Sequence, residues 1–260
     1  MKTNYLLNIG GRKEQQDSCQ IFENEYSTFL VLGDGMGGHK GGSVASQTLI
    51  NEAKQAYQSQ KKKIENPKVF FQKIVDNTME TLKDYVLKNS DTDPQTTVVL
   101  ALIQDDVVYS GHIGDSRLYV FEDKEFTFRT KDHSVVQMLL NLGEITEDEM
   151  GTHPDQNKLL KSLSSKKRVE ISYKEIRLKK ETNNAVLACS DGFWEYLSTD
   201  EMKKYLFEEN LDSALLKMVS LSKERAGENG DNISVAVCMT EQKEETTTQK
   251  IMKFLNKEIF

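Results

Sequence analysis

The order in which short apolar runs and amphipathic stretches follow one another constrains this 260-residue chain more than any single motif. Strand-like runs come first, at Tyr5 to Ile9, Ser18 to Phe22 and Phe29 to Leu32. Two helical patterns follow. One starts near Gly42 and runs through VASQTLINEAKQAYQ; the other covers Pro67 to Leu87, with Phe70, Ile74, Met79, Leu82 and Val86 at helical spacing and Pro67 suited to a first turn. Between them QSQKKKIENP reads as a solvated connector whose three lysines need no partner. Strands return in TTVVLALI, DVVYSGHI, SRLYVF and EFTFRT, and a helix in HSVVQMLLNLGEI ends at Gly143, a natural C-cap. The polar stretch from Thr146 to Arg168 reads as a mobile excursion, after which come strands in VEISYKEIRL and AVLACS. Helices over Thr199 to Phe207 and Leu211 to Lys223 precede a last strand, ISVAVCM. Blocks of strands separated by blocks of helices do not make the regular alternation of a parallel α/β fold. They predict an α+β fold, a central β-sandwich of two mainly antiparallel sheets flanked by α-helices.

Four aspartates stand at the ends of such runs: Asp34 in FLVLGDGMGGH, Asp115 in VVYSGHIGDSR, Asp191 in AVLACSDGFW and Asp231 in ENGDNISVAVC. A carboxylate beside a buried run is costly unless something pairs it. Three close a strand and the fourth opens one, so antiparallel strands would bring all four to one edge of a sheet. Carboxylates gathered without His or Cys suit a hard cation, Mg2+ or Mn2+ rather than Zn2+. Taken singly, Asp34-Gly35 or Asp191-Gly192 marks no more than a tight turn. Asp34, however, is followed by Gly35, Gly37, Gly38, Gly41 and Gly42, more glycine than one turn requires, and a carbonyl such as that of Gly35 could then face a cation. Arg12, five residues before Asp17 in GGRKEQQD, has the planar fork that binds phosphate oxygens.

The length fits one large domain or at most two small ones. Charged residues make up 29% and the net charge is -7, which argues against sequence-independent nucleic-acid binding. Cys19, Cys189 and Cys238 lie in strand-like runs without CxxC spacing and read as reduced, buried thiols of a cytoplasmic protein. The N-terminus does not read as a signal peptide, and the longest apolar run, Val98 to Ile103, is far too short for a membrane span. The expected division is a domain over 1–240 and a polar linker with a short amphipathic helix over 241–260, where Ile251, Leu255 and Ile259 share a helical spacing.

The ordered set GGRKEQQD, GDGMGGHKGGSVAS, QTTVVLALI, GHIGDSRLYVF, TKDHSVVQMLLNLGEI, HPDQNKLLKSL, CSDGFWEYLS and DNISVAV resembles the metal-dependent protein phosphatases of type 2C (the PPM family) in their compact bacterial form, from about Asn8 to Met239. The resemblance implies two Mn2+ or Mg2+ ions, and a third bound more weakly. Asp34 would bridge the pair, the Gly35 carbonyl would bind one of them, and Asp191 and Asp231 would complete the first ion's shell. Asp115, together with Asp191, would hold the third ion. Arg12 would bind the substrate phosphate, while Asp17 would hold metal-bound waters, with Gln16 and Asn232 beside it. The implied reaction is attack of a metal-bridging water or hydroxide on phosphoserine or phosphothreonine of phosphorylated proteins, by a monomer opposing a Ser/Thr kinase. A non-catalytic binder of phosphoproteins or kinases, and a phosphoesterase acting on a small molecule, are the alternatives.

Several positions depart from the family's pattern. Met36 stands where many eukaryotic relatives carry His after Asp-Gly, so His39 is not carried over as an acid. Ser43 replaces a frequent Glu, Gln95 a frequent Gly, and the glycine that usually closes the segment near HPDQNKLLKSLSS is missing beside the flap. His112 and His133 read as structural, whereas His153 could approach substrate from the flap.

Overall fold

The computed structural model describes residues 1–37, 41–146, 149–150 and 153–240; His39 and the 241–260 segment lie outside them. Two five-stranded antiparallel sheets stack face to face. The first has the order β1 (Lys2–Asn8), β13 (Ile233–Thr240), β12 (Asn184–Cys189), β8 (Arg117–Glu122), β9 (Glu125–Arg129). The second has the order β11 (Ser172–Arg177), β7 (Val107–Ile113), β6 (Val98–Gln104), β3 (Thr28–Gly33), β2 (Ser18–Glu23). A small ladder joins three two-residue strands, β10 (Leu163–Ser164), β5 (Gln95–Thr96) and β4 (Gly35–Met36).

Strand alternation builds the layers. In β3, Leu30 and Leu32 point between the sheets with Val99 and Ala101 of β6, while Phe29 and Val31 point outward. There they meet α1 (Gly41–Gln58) and α2 (Pro67–Lys88), whose Leu49, Ala53, Phe71 and Ile74 complete an outer core. Phe29 and Phe71 are both fully buried and stack with centroids 5.9 Å apart; burial is worth about 1.5–3 kcal/mol for each ring. On the other side β13 alternates in the same way. Its Ala236 and Cys238 face the inter-sheet core, and its Ile233, Val235 and Val237 face α4 (Asp191–Trp194), α5 (Thr199–Glu208) and α6 (Leu211–Ala226). The result is the expected α-β-β-α sandwich.

Local signals account for the helix ends. Asn66 caps α2 by accepting from the Val69 N–H, with Pro67 in the first turn. Ser134 caps α3 (Val135–Leu142), which ends at Gly143 in the left-handed region with φ 73°. Ser198 and Glu201 form a capping box on α5. Two expectations need correction. Lys63 pairs with Asp105 at 2.7 Å and Lys62 pairs with Glu65, both on the exposed surface, where such pairs are worth at most about 1 kcal/mol. Part of the 146–168 excursion is tied down, because Leu163 and Ser164 pair with Thr96 and Gln95, and the Val135 N–H donates to the Lys158 carbonyl.

Candidate active site

Strand direction brings the four strand-end aspartates together, though not at one sheet. β3 and β7 are each antiparallel to β6, so they run the same way and deliver Asp34 and Asp115 to the same end of the second sheet. β12 and β13 are antiparallel neighbours, so Asp191, at the start of α4, and Asp231, two residues before β13, meet at one end of the first sheet. The cluster therefore spans the ends of both sheets, two carboxylates from each. Its backbone is fixed from both sides. The Asp34 N–H donates to Thr97 Oγ1 and the Thr97 N–H donates to the Asp34 carbonyl, both at 2.9 Å.

Two glycines are required by close approach. A Cβ on Gly192 would lie 2.2 Å from the Asn232 carbonyl oxygen, so only glycine lets α4 sit against the start of β13. On Gly35 it would lie 2.2 Å from the Gly42 carbonyl oxygen and 2.5 Å from that of Gln16, which pins β4 against α1 and the loop before β2.

Asp17 joins the cluster from β1–β2. It is 4% exposed and accepts from Ser234 Oγ at 2.6 Å. Burial pushes its carboxyl up to about 7, opposed by hydrogen bonds from Ser234 and Ser190 and reinforced by the charges of Asp191 and Asp231. The Asp34 carboxyl is pushed well above the usual range, by burial first and then by Asp17, Asp191, Asp115 and Asp231 in turn. Burial and Asp231 raise Asp191 to about 6, against a hydrogen bond with Asp34 and a 2.6 Å one from the Gly192 N–H. Asp115 is likewise raised, by burial and then by Asp191 and Asp132. Carboxyls that raise one another in this way are stabilised by protons or by a shared cation.

Arg12 reaches this cluster from the β1–β2 loop. Its Nη2 donates to Asp231 Oδ2 at 2.7 Å, and its guanidinium is held further in the charged form by Asp191 and Asp34. Asn232 anchors the loop, accepting from the Gln16 N–H at 2.7 Å and donating to the carbonyls of Ile9 and Glu14 at 2.9 and 3.1 Å. Among the described residues no three His, Cys, Asp or Glu side chains converge closely enough to ligate one ion as they stand. The donor chemistry nevertheless fits a hard divalent cation. It is all oxygen, and Asp231 already holds a positive group.

Trp194 and Arg117 were not singled out from the sequence. The Trp194 indole Nε1–H donates to the Asp115 carbonyl at 3.0 Å, and the Arg117 guanidinium lies 3.3 Å from the ring centroid on its face. Arg117 is itself held by Asp132, Nε to Oδ1 at 2.9 Å and Nη2 to Oδ2 at 2.6 Å. The only signals were that Trp194 is the chain's single tryptophan and that Arg117 closes GDSR.

His112 and His133 are held in a packed, hydrogen-bonded pair. The rings of His112 and His133 stack with centroids 4.6 Å apart. His112 Nε2 donates to the Lys131 carbonyl, and His133 accepts from the Gly114 N–H at Nδ1, leaving its Nε2–H for Ser172 Oγ. Burial lowers both, His133 to about 4, where the neighbouring His112 adds to the effect. His153 Nδ1 accepts from the Asp155 N–H two residues on, a local turn contact.

A sandwich of this topology, with acidic groups at the ends of both sheets, defines a family. Residues 9–223 match the model of the protein phosphatase 2C family, and the chain belongs to that family. It is similar to a Streptococcus pyogenes protein provisionally named protein phosphatase 2C-type, with 31% identity over 94% of this chain and 99% of that one. It also resembles the serine/threonine phosphatase stp of Listeria innocua, 29% identical over 75% of this chain and 78% of that one. The crystal structure of the serine/threonine phosphatase Stp1 from Staphylococcus aureus superposes with a TM-score of 0.83 at 29% identity, covering 92% of this chain and 95% of that one. Among the described residues no helix is long and apolar enough to cross a membrane.

Proposed function

We propose that this chain is a metal-dependent protein serine/threonine phosphatase that hydrolyses phosphoserine and phosphothreonine and so reverses the signal of a Ser/Thr kinase. The observation that carries the reading is the gathering of Asp34, Asp115, Asp191 and Asp231 from the ends of both sheets, with Arg12 bonded to Asp231 at the cluster's margin. Asp34, the Gly35 carbonyl, Asp191 and Asp231 would hold a pair of Mn2+ or Mg2+ ions, and Asp115 with Asp191 a third, weaker one. When bound, such a pair supplies a water activated at neutral pH and neutralises charge on the phosphoryl group.

The chain's own groups supply the rest. The Arg12 side chain is 55% exposed, so its fork can receive a phosphate carrying about −1.5 to −2 charges. Asn232 and Gln16 hold the loop that aims it. Asp17, bonded to Ser234, fixes polar groups beside Asp34 without reaching solvent. No cysteine competes for the nucleophile's role, since burial pushes the thiols of Cys19, Cys189 and Cys238 up, the last to about 12. Direct attack by water is the chemistry we assign to this donor set.

The test is a purified, chelator-stripped sample assayed on a phosphothreonine peptide and on free nucleotides, with and without Mn2+. Metal-dependent turnover of the peptide in preference to nucleotides is expected. Full activity in chelator would sink the metal mechanism, and preference for nucleotides would sink the protein-phosphatase reading.

A further inference from the structure

A cleft of about 1290 Å3 opens beside the acidic cluster and has no part in the chemistry above. The two sites share α4, which carries Asp191 at its first position and Trp194, in the cleft wall, at its last. The hydrogen bond from Trp194 to the Asp115 carbonyl ties them a second time. Small-ligand pockets occupy roughly 300–1,000 Å3, so this space is larger than one small molecule needs.

Three features describe what it would hold. First, β9 and β11 both line it, and among the described residues each is the last strand of its sheet, with no further strand paired to its outward backbone groups, the kind of edge to which a strand can add. Second, the lining charge opposes that of the chain. Among the described lining residues, Arg117, Arg129, Lys131, Lys174 and Arg225 face one carboxylate, Glu195, in a protein of net charge -7. Arg117 and Arg225 are engaged with Asp132 and Glu201, whereas Lys131 and Lys174 are exposed and form no ion pair among the described residues. Third, Ser110 lines the cleft, is 1% exposed, and its Oγ has no hydrogen-bond partner among the described residues; it stands opposite Lys174 in the β7–β11 register. A buried hydroxyl without a partner costs about 1–3 kcal/mol unless something meets it.

We infer that this cleft binds an extended, acidic segment of the phosphoprotein substrate, adjacent in sequence to the phosphorylated residue, through the β9 and β11 edges and the charges of Lys131 and Lys174. The inference rests on the phosphatase reading and names the substrate class within it. An acidic flank would be drawn to the cleft while the phosphate occupies the neighbouring site, so the two contacts act on one chain.

The test uses three phosphothreonine peptides with acidic, neutral or lysine flanks, together with p-nitrophenyl phosphate, which has no flank at all. With the full-length protein, kcat/KM for the acidic peptide should exceed that for the lysine peptide by about tenfold, the sum expected of two exposed charge contacts. The gap should close between ~0.05 and ~0.5 M salt as screening grows. The double variant Lys131→Glu/Lys174→Glu should lose or invert the preference while its turnover of p-nitrophenyl phosphate is unchanged. Equal rates on all three peptides, or a preference that survives the double charge reversal, would overturn the cleft assignment and leave the phosphatase reading intact. Turnover of p-nitrophenyl phosphate with none of any phosphopeptide would overturn that reading, and this inference with it.

Discussion

Truncating Arg117 to alanine should destabilise the protein by about 4 kcal/mol. The Arg117–Asp132 pair is buried, with side chains 6% and 2% exposed, and its two parallel hydrogen bonds use both carboxylate oxygens. Removing the arginine leaves the Asp132 carboxylate in the interior without its partner, a change that costs about 3–5 kcal/mol in comparable sites. The guanidinium also lies on the Trp194 face and donates from Nη1 to the Tyr119 hydroxyl at 3.2 Å, and loss of the desolvated ring contact adds up to about 2 kcal/mol. Relaxation around the vacated space offsets part of this. For a domain of this size each kcal/mol moves Tm by about 2–4 °C, so a fall of roughly 8–16 °C is expected. Urea titration gives the free energy, and the companion variant Arg117→Met/Asp132→Leu separates its causes. With both charges gone, stability should return to within about 1 kcal/mol of the parent. Turnover of a phosphopeptide should stay low in that double variant, because Trp194 has lost the group that clamps it against the Asp115 carbonyl. If Arg117→Ala costs under about 1 kcal/mol, or the double variant is no more stable than the single, the uncompensated-charge argument is refuted.

The remaining predictions address the cluster and the stacked histidines. Asp34→Asn should raise the Tm of the chelator-stripped protein, by removing a carboxyl that burial and four neighbouring aspartates disfavour as an anion, while abolishing phosphopeptide turnover; a lowered Tm would show that the buried carboxyl does not strain the cluster. Arg12→Lys should raise KM for a phosphopeptide with a smaller change in kcat, since the charge stays and the fork is lost, and an unchanged KM would remove Arg12 from the phosphate site. His133 is depressed to about 4, so its neutral ring contributes stability that is fully present above the unfolded value near 6.5 and is lost as pH falls from there to about 4. The loss is at most about 3 kcal/mol, and urea midpoints for His133→Gln should fall less steeply across that window than those of the parent.

Much of the frame was legible because it repeats a simple period. The β3 and β13 runs alternate between two cores, and α2 begins and ends within a residue of where its apolar spacing and Pro67 put it. The strand-end aspartates were legible for a related reason, since a carboxylate at the mouth of a buried run has few tolerable fates. What stayed hidden lacked a period. α4 spans four residues, too few to display a helical stripe, so Asp191 read as the end of a strand rather than the start of a helix. β4, β5 and β10 hold two residues each and exist only through their pairing. The division of the aspartates between two sheets depends on strand order, which local pattern does not encode. Nothing local marked Trp194, because its indole bonds a carbonyl 79 positions away.

The pairing of β1 with β13 has a consequence for how the protein comes into being. Leu6 lies opposite Val235 and Asn8 opposite Ile233, and the bonds that aim Arg12 and bury Asp17 run to Asp231 and Ser234, 219 and 217 positions downstream. During synthesis from the N-terminus, the loop that carries Arg12 has nothing to lean on until almost every other element has emerged. Closing such long loops late makes folding slow, and each partly made chain exposes the open edge of β12 where β13 will dock. A nascent chain holds Asp34 early but cannot hold Arg12 beside Asp231 until the segment leading into the last strand has emerged.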